Sequence, residues 1–201
     1  MKKLLTITVL LGASSLAQAN LVVNGSFENY STVAPGTWSI FGSGNGWTTG
    51  PAGVEIRNAV AGTAADGVRF AELDTTANSW ISQIIHTNAN QALELSFAYA
   101  PRAGVAANSN GIEVFWNNLS LATITADGSI GSSWLDYVYD VQADANGLGI
   151  LKFAAIGISN SFGGSLDNIS ATAVPEPGTT AMLLTGLGIL AVAGRRRKSP
   201  A

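Results

Sequence analysis

Leu93-Glu94-Leu95-Ser96-Phe97-Ala98-Tyr99 places a large apolar residue at every second position. Successive side chains of a β-strand point to opposite faces, so this stretch offers one apolar face and one wetter face. The same alternation returns downstream. Ile112, Val114 and Trp116 enclose Glu113 and Phe115; Leu135, Tyr137, Tyr139 and Val141 enclose Asp136, Val138 and Asp140. Leu151, Phe153 and Ala155 follow the same rule, and shorter strands are predicted at 54–57, 69–73, 79–85, 122–125 and 166–171. Asp66-Gly67, Asn110-Gly111, Asp127-Gly128 and Asn146-Gly147 punctuate these runs with pairs that accept positive φ. No long stretch has a 3.6-residue apolar period. Short strands at this spacing predict an all-β fold, an antiparallel β-sandwich of jelly-roll type.

The two ends of the chain read differently. Lys2 and Lys3 precede an apolar run from Leu4 to Leu16, and Ala17-Gln18-Ala19 is a small-x-small cleavage site. Residues 1–19 are therefore expected to be a signal helix, with the mature chain starting at Asn20. The C-terminus holds Pro175-Glu176-Pro177, an apolar run over about 179–194, and Arg195-Arg196-Arg197-Lys198. Sixteen or so residues span roughly 24 Å as a helix, short of the ~30 Å bilayer core. Gly186 and Gly188 weaken the helix further. Such a span suits a transient anchor better than a permanent one, and the basic cluster keeps its far end cytoplasmic.

Between these segments lies one domain, residues 20–173, with Val174–Gly178 as linker. Most cations of the chain sit in the two end segments. The domain holds four, Arg57, Arg69, Arg102 and Lys152, against twelve carboxylates, a balance of −8. That argues against a nucleic-acid partner, because nothing would neutralise phosphates. There is no cysteine, so no disulfide staples the fold.

The tail resembles the PEP-CTERM sorting signal of Gram-negative bacteria, carried by Pro175, Glu176 and Pro177, the apolar span, and Arg195, Arg196 and Arg197. The resemblance implies recognition by the membrane peptidase-transferase exosortase after export by the secretion machinery and signal peptidase. Contact with the inner membrane would be transient. The destination would be the cell surface or an exopolysaccharide-rich extracellular or biofilm matrix. The domain opens on Leu21-Val22-Val23-Asn24-Gly25-Ser26-Phe27-Glu28, which resembles the first strand of galactose-binding-like β-sandwiches, a group rich in carbohydrate-binding modules. Phe70-Ala71-Glu72-Leu73-Asp74 and Gly164-Ser165-Leu166-Asp167-Asn168-Ile169 resemble later segments of that group. In that group the opening Glu and closing Asp share a structural calcium ion, which implies Glu28 and Asp167 as its ligands here. The alternative is two solvated carboxylates near strand ends. Glu72 and Asp74 form a second acidic spot.

Sugar recognition would use exposed aromatic rings. Trp38 and Trp47 flank the loop Phe41-Gly42-Ser43-Gly44-Asn45-Gly46 and are expected at the surface; Trp80 opens a strand and fits either surface or core, while Trp116 reads as core. The glycine loop lacks the Lys-Ser/Thr ending of a phosphate loop. No Gly-x-Ser-x-Gly elbow occurs, and His86 is the lone histidine. The two resemblances together imply a non-enzymatic surface or matrix protein that binds extracellular polysaccharide. A small secreted glycan hydrolase with paired carboxylates and a purely adhesive protein remain as alternatives.

Overall fold

The structure, a computed structural model, describes residues 19–175 together with Thr185, Gly186 and Gly188. The expected signal helix, Ala17, Glu176, Pro177 and Arg195–Arg197 lie outside the described residues. Thr185, Gly186 and Gly188 are helical, and among the described residues no helix is long and apolar enough to cross a membrane.

Among the described residues eleven strands follow in chain order: β1 Thr37–Phe41, β2 Thr48–Thr49, β3 Val54–Asn58, β4 Arg69–Glu72, β5 Trp80–His86, β6 Ala92–Ala100, β7 Gly111–Trp116, β8 Leu119–Ile124, β9 Leu135–Gln142, β10 Leu148–Ile156 and β11 Ser165–Ala173. They form a six-stranded sheet in the order β1-β3-β4-β11-β6-β9 and a five-stranded sheet in the order β2-β5-β10-β7-β8. All pairings are antiparallel. The expected sandwich is the observed one.

Alternation decides the core. Leu93, Leu95, Phe97 and Tyr99 of β6 are fully buried, as are Ile81 and Ile85 of β5 and Leu151 and Phe153 of β10. They belong to one apolar cluster between the sheets. Phe97 is its hub, with the Phe153 ring edge-on at 5.0 Å and the Tyr137 ring stacked at 5.5 Å. Such contacts add to plain area burial.

Two features depart from the sequence reading. The opening segment 21–28 is a succession of turns rather than a strand. Leu21 N–H bonds the Ala171 carbonyl, but Asn24 and Phe27 then take positive φ, outside the extended region of a regular strand. Phe27 is driven inward and is fully buried. Second, β3 is buried at all five positions, although Val-Glu-Ile-Arg reads as a half-solvated strand. Register puts Glu55 and Arg57 on the outer face of the six-stranded sheet, beside Glu72 and Phe70 of β4. Loops cover that face. Trp134 lies edge-on to Phe70 at 5.8 Å and donates Nε1–H to the Thr63 carbonyl. The outer face thus becomes a second, charged interior.

Candidate functional site

Arg57 is the centre of that interior. It is 1% exposed. Its Nε donates to Glu55 Oε1 at 2.6 Å, and its Nη2 pairs with Glu72 Oε2. Glu72 is shared: Arg102 Nη1 reaches the same Oε2 at 3.0 Å, and Gly163 N–H donates to Oε1 at 2.6 Å. Asp74 holds the adjoining loop by accepting from Ser159 Oγ and from the backbone N–H groups of Asn160 and Phe162. Burial pushes the Arg57 guanidinium below its ordinary value; Glu55 opposes that shift and Arg102 adds to it. Buried ion pairs need this density of hydrogen bonds to offset desolvation.

One part of the network is incomplete. Arg57 Nη1 is enclosed and has no hydrogen-bond partner among the described residues. Arg57 lines a pocket of about 270 Å³ together with Glu55 and Arg102. Trp38 and Ile40 of β1 and Phe162 of the 157–164 loop supply its apolar walls. Trp38 is 52% and Phe162 46% exposed, so both rings stand at the rim. β1 places Trp38 directly opposite Arg57 and Ile40 opposite Glu55, on one face. The Arg102 guanidinium lies 4.5 Å from the Phe162 ring centre and fixes that wall. The result is a concavity with aromatic sides and a charged, hydrogen-bonding floor.

The other expected positions fall elsewhere. Trp47 is not at the surface: it is buried, stacked on Phe27 at 5.9 Å, with Nε1–H donating to the Asn24 carbonyl. Its loop closes inward because Gln83 Nε2 also binds the Gly46 carbonyl. Trp80 is half-buried on the outer face of the five-stranded sheet, with Lys152 between its ring and that of Phe115, 5.2 Å from each centre.

Glu28 and Asp167 do converge, on the loop 65–69. Glu28 Oε1 accepts from Val68 N–H and Arg69 N–H, and Oε2 pairs with Arg69 Nη1 at 2.9 Å. Asp167 Oδ2 accepts from Ala65 N–H and Asp66 N–H, and Oδ1 from Asn168 N–H. Gly67 sits beneath the Glu28 carboxylate with φ +67; a Cβ there would lie 2.5 Å from Oε1. Five amides and a guanidinium turn their positive ends toward this pair. That donor set neutralises carboxylates and opposes a cation, so the residues do not fit a shared calcium ion. Burial pushes Asp167 up to about 7, against the amides that hold its charge. Glu72 and Asp74, the second acidic spot, serve the Arg57 network.

Glu55, Arg57, Arg102 and Phe162 were not candidates in the sequence. No sequence signal singled them out, because all four of the domain's cations lie in or just after strands.

Comparison with known proteins adds three findings. Residues 173–198 match the PEP-CTERM protein-sorting motif. Two multifunctional-autoprocessing repeats-in-toxin proteins are similar over most of the domain. The one from Vibrio vulnificus is 31% identical over 162 residues, 80% of this chain and 3% of that protein; the one from Vibrio cholerae serotype O1 is 33% identical over 164 residues, 79% and 3%. The chain thus spans only about 3% of the length of these curated relatives. Among solved structures, the K1 cleaved adhesin domain of Lys-gingipain from Porphyromonas gingivalis W83 superposes with a TM-score of 0.51 at 16% identity, covering 69% of this chain and 98% of that one. A family 16 carbohydrate-binding module superposes with a TM-score of 0.50 at 15% identity, covering 76% and 99%. At such identities the likeness establishes a shared sandwich fold.

Proposed function

We propose that the chain is an exported, non-enzymatic protein of the cell surface or extracellular matrix, and that it binds extracellular polysaccharide in the pocket between Trp38 and Phe162. The sorting motif at 173–198 supports export and C-terminal processing by exosortase. The fold is one that carbohydrate-binding modules share. The observation that carries the reading is the pocket itself: exposed aromatic walls over a floor of fixed hydrogen-bonding groups. Sugar rings present apolar C–H faces and hydroxyl edges, and sites that bind them pair aromatic surface with a few placed polar groups. The floor carboxylates are committed to guanidinium partners rather than poised as an acid and a base, which favours binding over hydrolysis.

Electrophoresis through gels containing matrix polysaccharide tests this. The protein is expected to be retarded, Trp38→Ala to run freely, and Trp80→Ala to behave as the parent. Equal mobility with and without every polysaccharide would leave a purely adhesive or structural role. Release of reducing sugar would favour the hydrolase.

A further inference from the structure

We infer that the pocket selects a neutral sugar presenting two adjacent hydroxyls, at a chain end or side branch, rather than an anionic glycan. This rests on the glycan-binding reading above and narrows it.

Charge is the first argument. The pocket is lined by Glu55, Arg57 and Arg102, and the buried Glu72 and Asp74 lie behind them; the five groups together carry one carboxylate in excess. The guanidinium charges are already spent on internal carboxylates. A uronate or sulfate would bring like charge into a partly desolvated site, where Coulomb repulsion is strong. It would also approach a domain with four cations and twelve carboxylates, a balance of −8.

Hydrogen-bond polarity is the second. Arg57 Nη1 is a donor with no partner among the described residues. Glu55 uses Oε1 on Arg57, and its Oε2 is an acceptor with no hydrogen-bond partner among the described residues. A hydroxyl both accepts and donates; a carboxylate cannot donate to Glu55, and an ammonium cannot accept from Arg57. Two neighbouring hydroxyls, directly or through one water, satisfy both groups. Leaving Arg57 Nη1 unmet costs free energy at a buried site.

Size is the third. About 270 Å³ is at the small end of ligand sites and accommodates one or two rings between Trp38 and Phe162. An extended chain lying in a groove would need more.

The test uses the full chain, purified in mild detergent, on a glycan array. The array carries neutral glucans, galactans and mannans beside polyuronates, sulfated glycans and amino-sugar polymers, read at about 0.05 and about 0.5 M salt. Neutral glycans are expected to bind equally at both. Glu55→Gln and, independently of any folding defect at that buried position, the surface changes Trp38→Ala and Phe162→Ala are expected to weaken binding about tenfold. Thermal melting checks that the surface variants fold. Hits confined to charged glycans and fading with salt overturn the neutral-sugar inference while the glycan reading stands. Neutral hits untouched by both surface changes overturn this pocket as the site. An array with no hits overturns the glycan reading and the inference together.

Discussion

Asp167 brings a carboxylate to a fully buried position and holds it with three backbone amides. Burial dominates, so its folded pKa, about 7, lies above the ordinary value of 3.8; Asp66 nearby adds to the rise, and Glu28 and Arg69 face the same loop. For a raised acid, the folded state binds the proton more tightly than the unfolded chain. The stability this contributes is present in full below about pH 4 and is lost as pH rises to 7. Melting temperatures of the parent relative to Asp167→Asn should fall across that window and level off above it; parallel profiles would refute the assignment. Because amides and Arg69 neutralise Glu28 and Asp167, chelator should leave the melting temperature unchanged, whereas a clear drop would restore calcium to this loop. The tryptophans separate just as sharply. Trp47→Ala opens a cavity beside Phe27 and should cost about 3–5 kcal/mol in denaturant unfolding. Trp38→Ala removes a rim ring and should change stability by about 0.5 kcal/mol or less. Comparable costs for the two would mean that the 42–46 loop is folded otherwise.

At the scale of the element, β3 and β4 show how much was legible. Their position and length follow from alternation, as do those of β5, β6, β7, β9, β10 and β11 to within a few residues; their pairing does not. β1 escaped because Thr-Trp-Ser-Ile-Phe carries its apolar residues at an exposed edge, and β2 because two residues make no period. What alternation cannot report is the fate of the polar face. Glu55, Arg57 and Glu72 read as solvated because charges on an outer face ordinarily are. They are buried because loops far apart in sequence, around Arg102 and Gly163, fold over them. The pocket exists only through that cover, so its floor was invisible in the chain while Trp38 on its rim was not. The cover has an energetic consequence. Glu72 serves two arginines and an amide, so Glu72→Gln leaves both guanidinium groups under-neutralised at a buried position. Loss of about 3–5 kcal/mol is expected, with urea unfolding as the measurement. A loss under about 1 kcal/mol would mean that the cluster is solvated and the second interior does not exist.

For the whole molecule, the folded domain is tied at both ends where processing is expected to act. Asn20 Oδ1 accepts from Val22 N–H and Ala171 N–H, and its Nδ2 donates to the Ile169 carbonyl. A cut after Ala19 keeps all three bonds; a cut one residue later would discard them and loosen the start of the chain from β11. At the other end Val174 N–H bonds the Ala92 carbonyl, and Gln91 Nε2 donates to the Val174 carbonyl. Pro175 then has no N–H to offer, so the ladder cannot extend into the sorting signal. The break at Pro175 would let a processing enzyme cut beyond it without unravelling β11. The expected processing would also change the charge: two segments holding six of the ten cations would leave, and a chain of formal charge −3 would become a domain of −8. Mass spectrometry of the protein recovered from the cell surface is expected to give an N-terminus at Asn20 and a C-terminus within 174–178. An intact 201-residue chain at the surface would instead make the tail a lasting anchor, holding the sandwich at the membrane rather than releasing it toward polysaccharide.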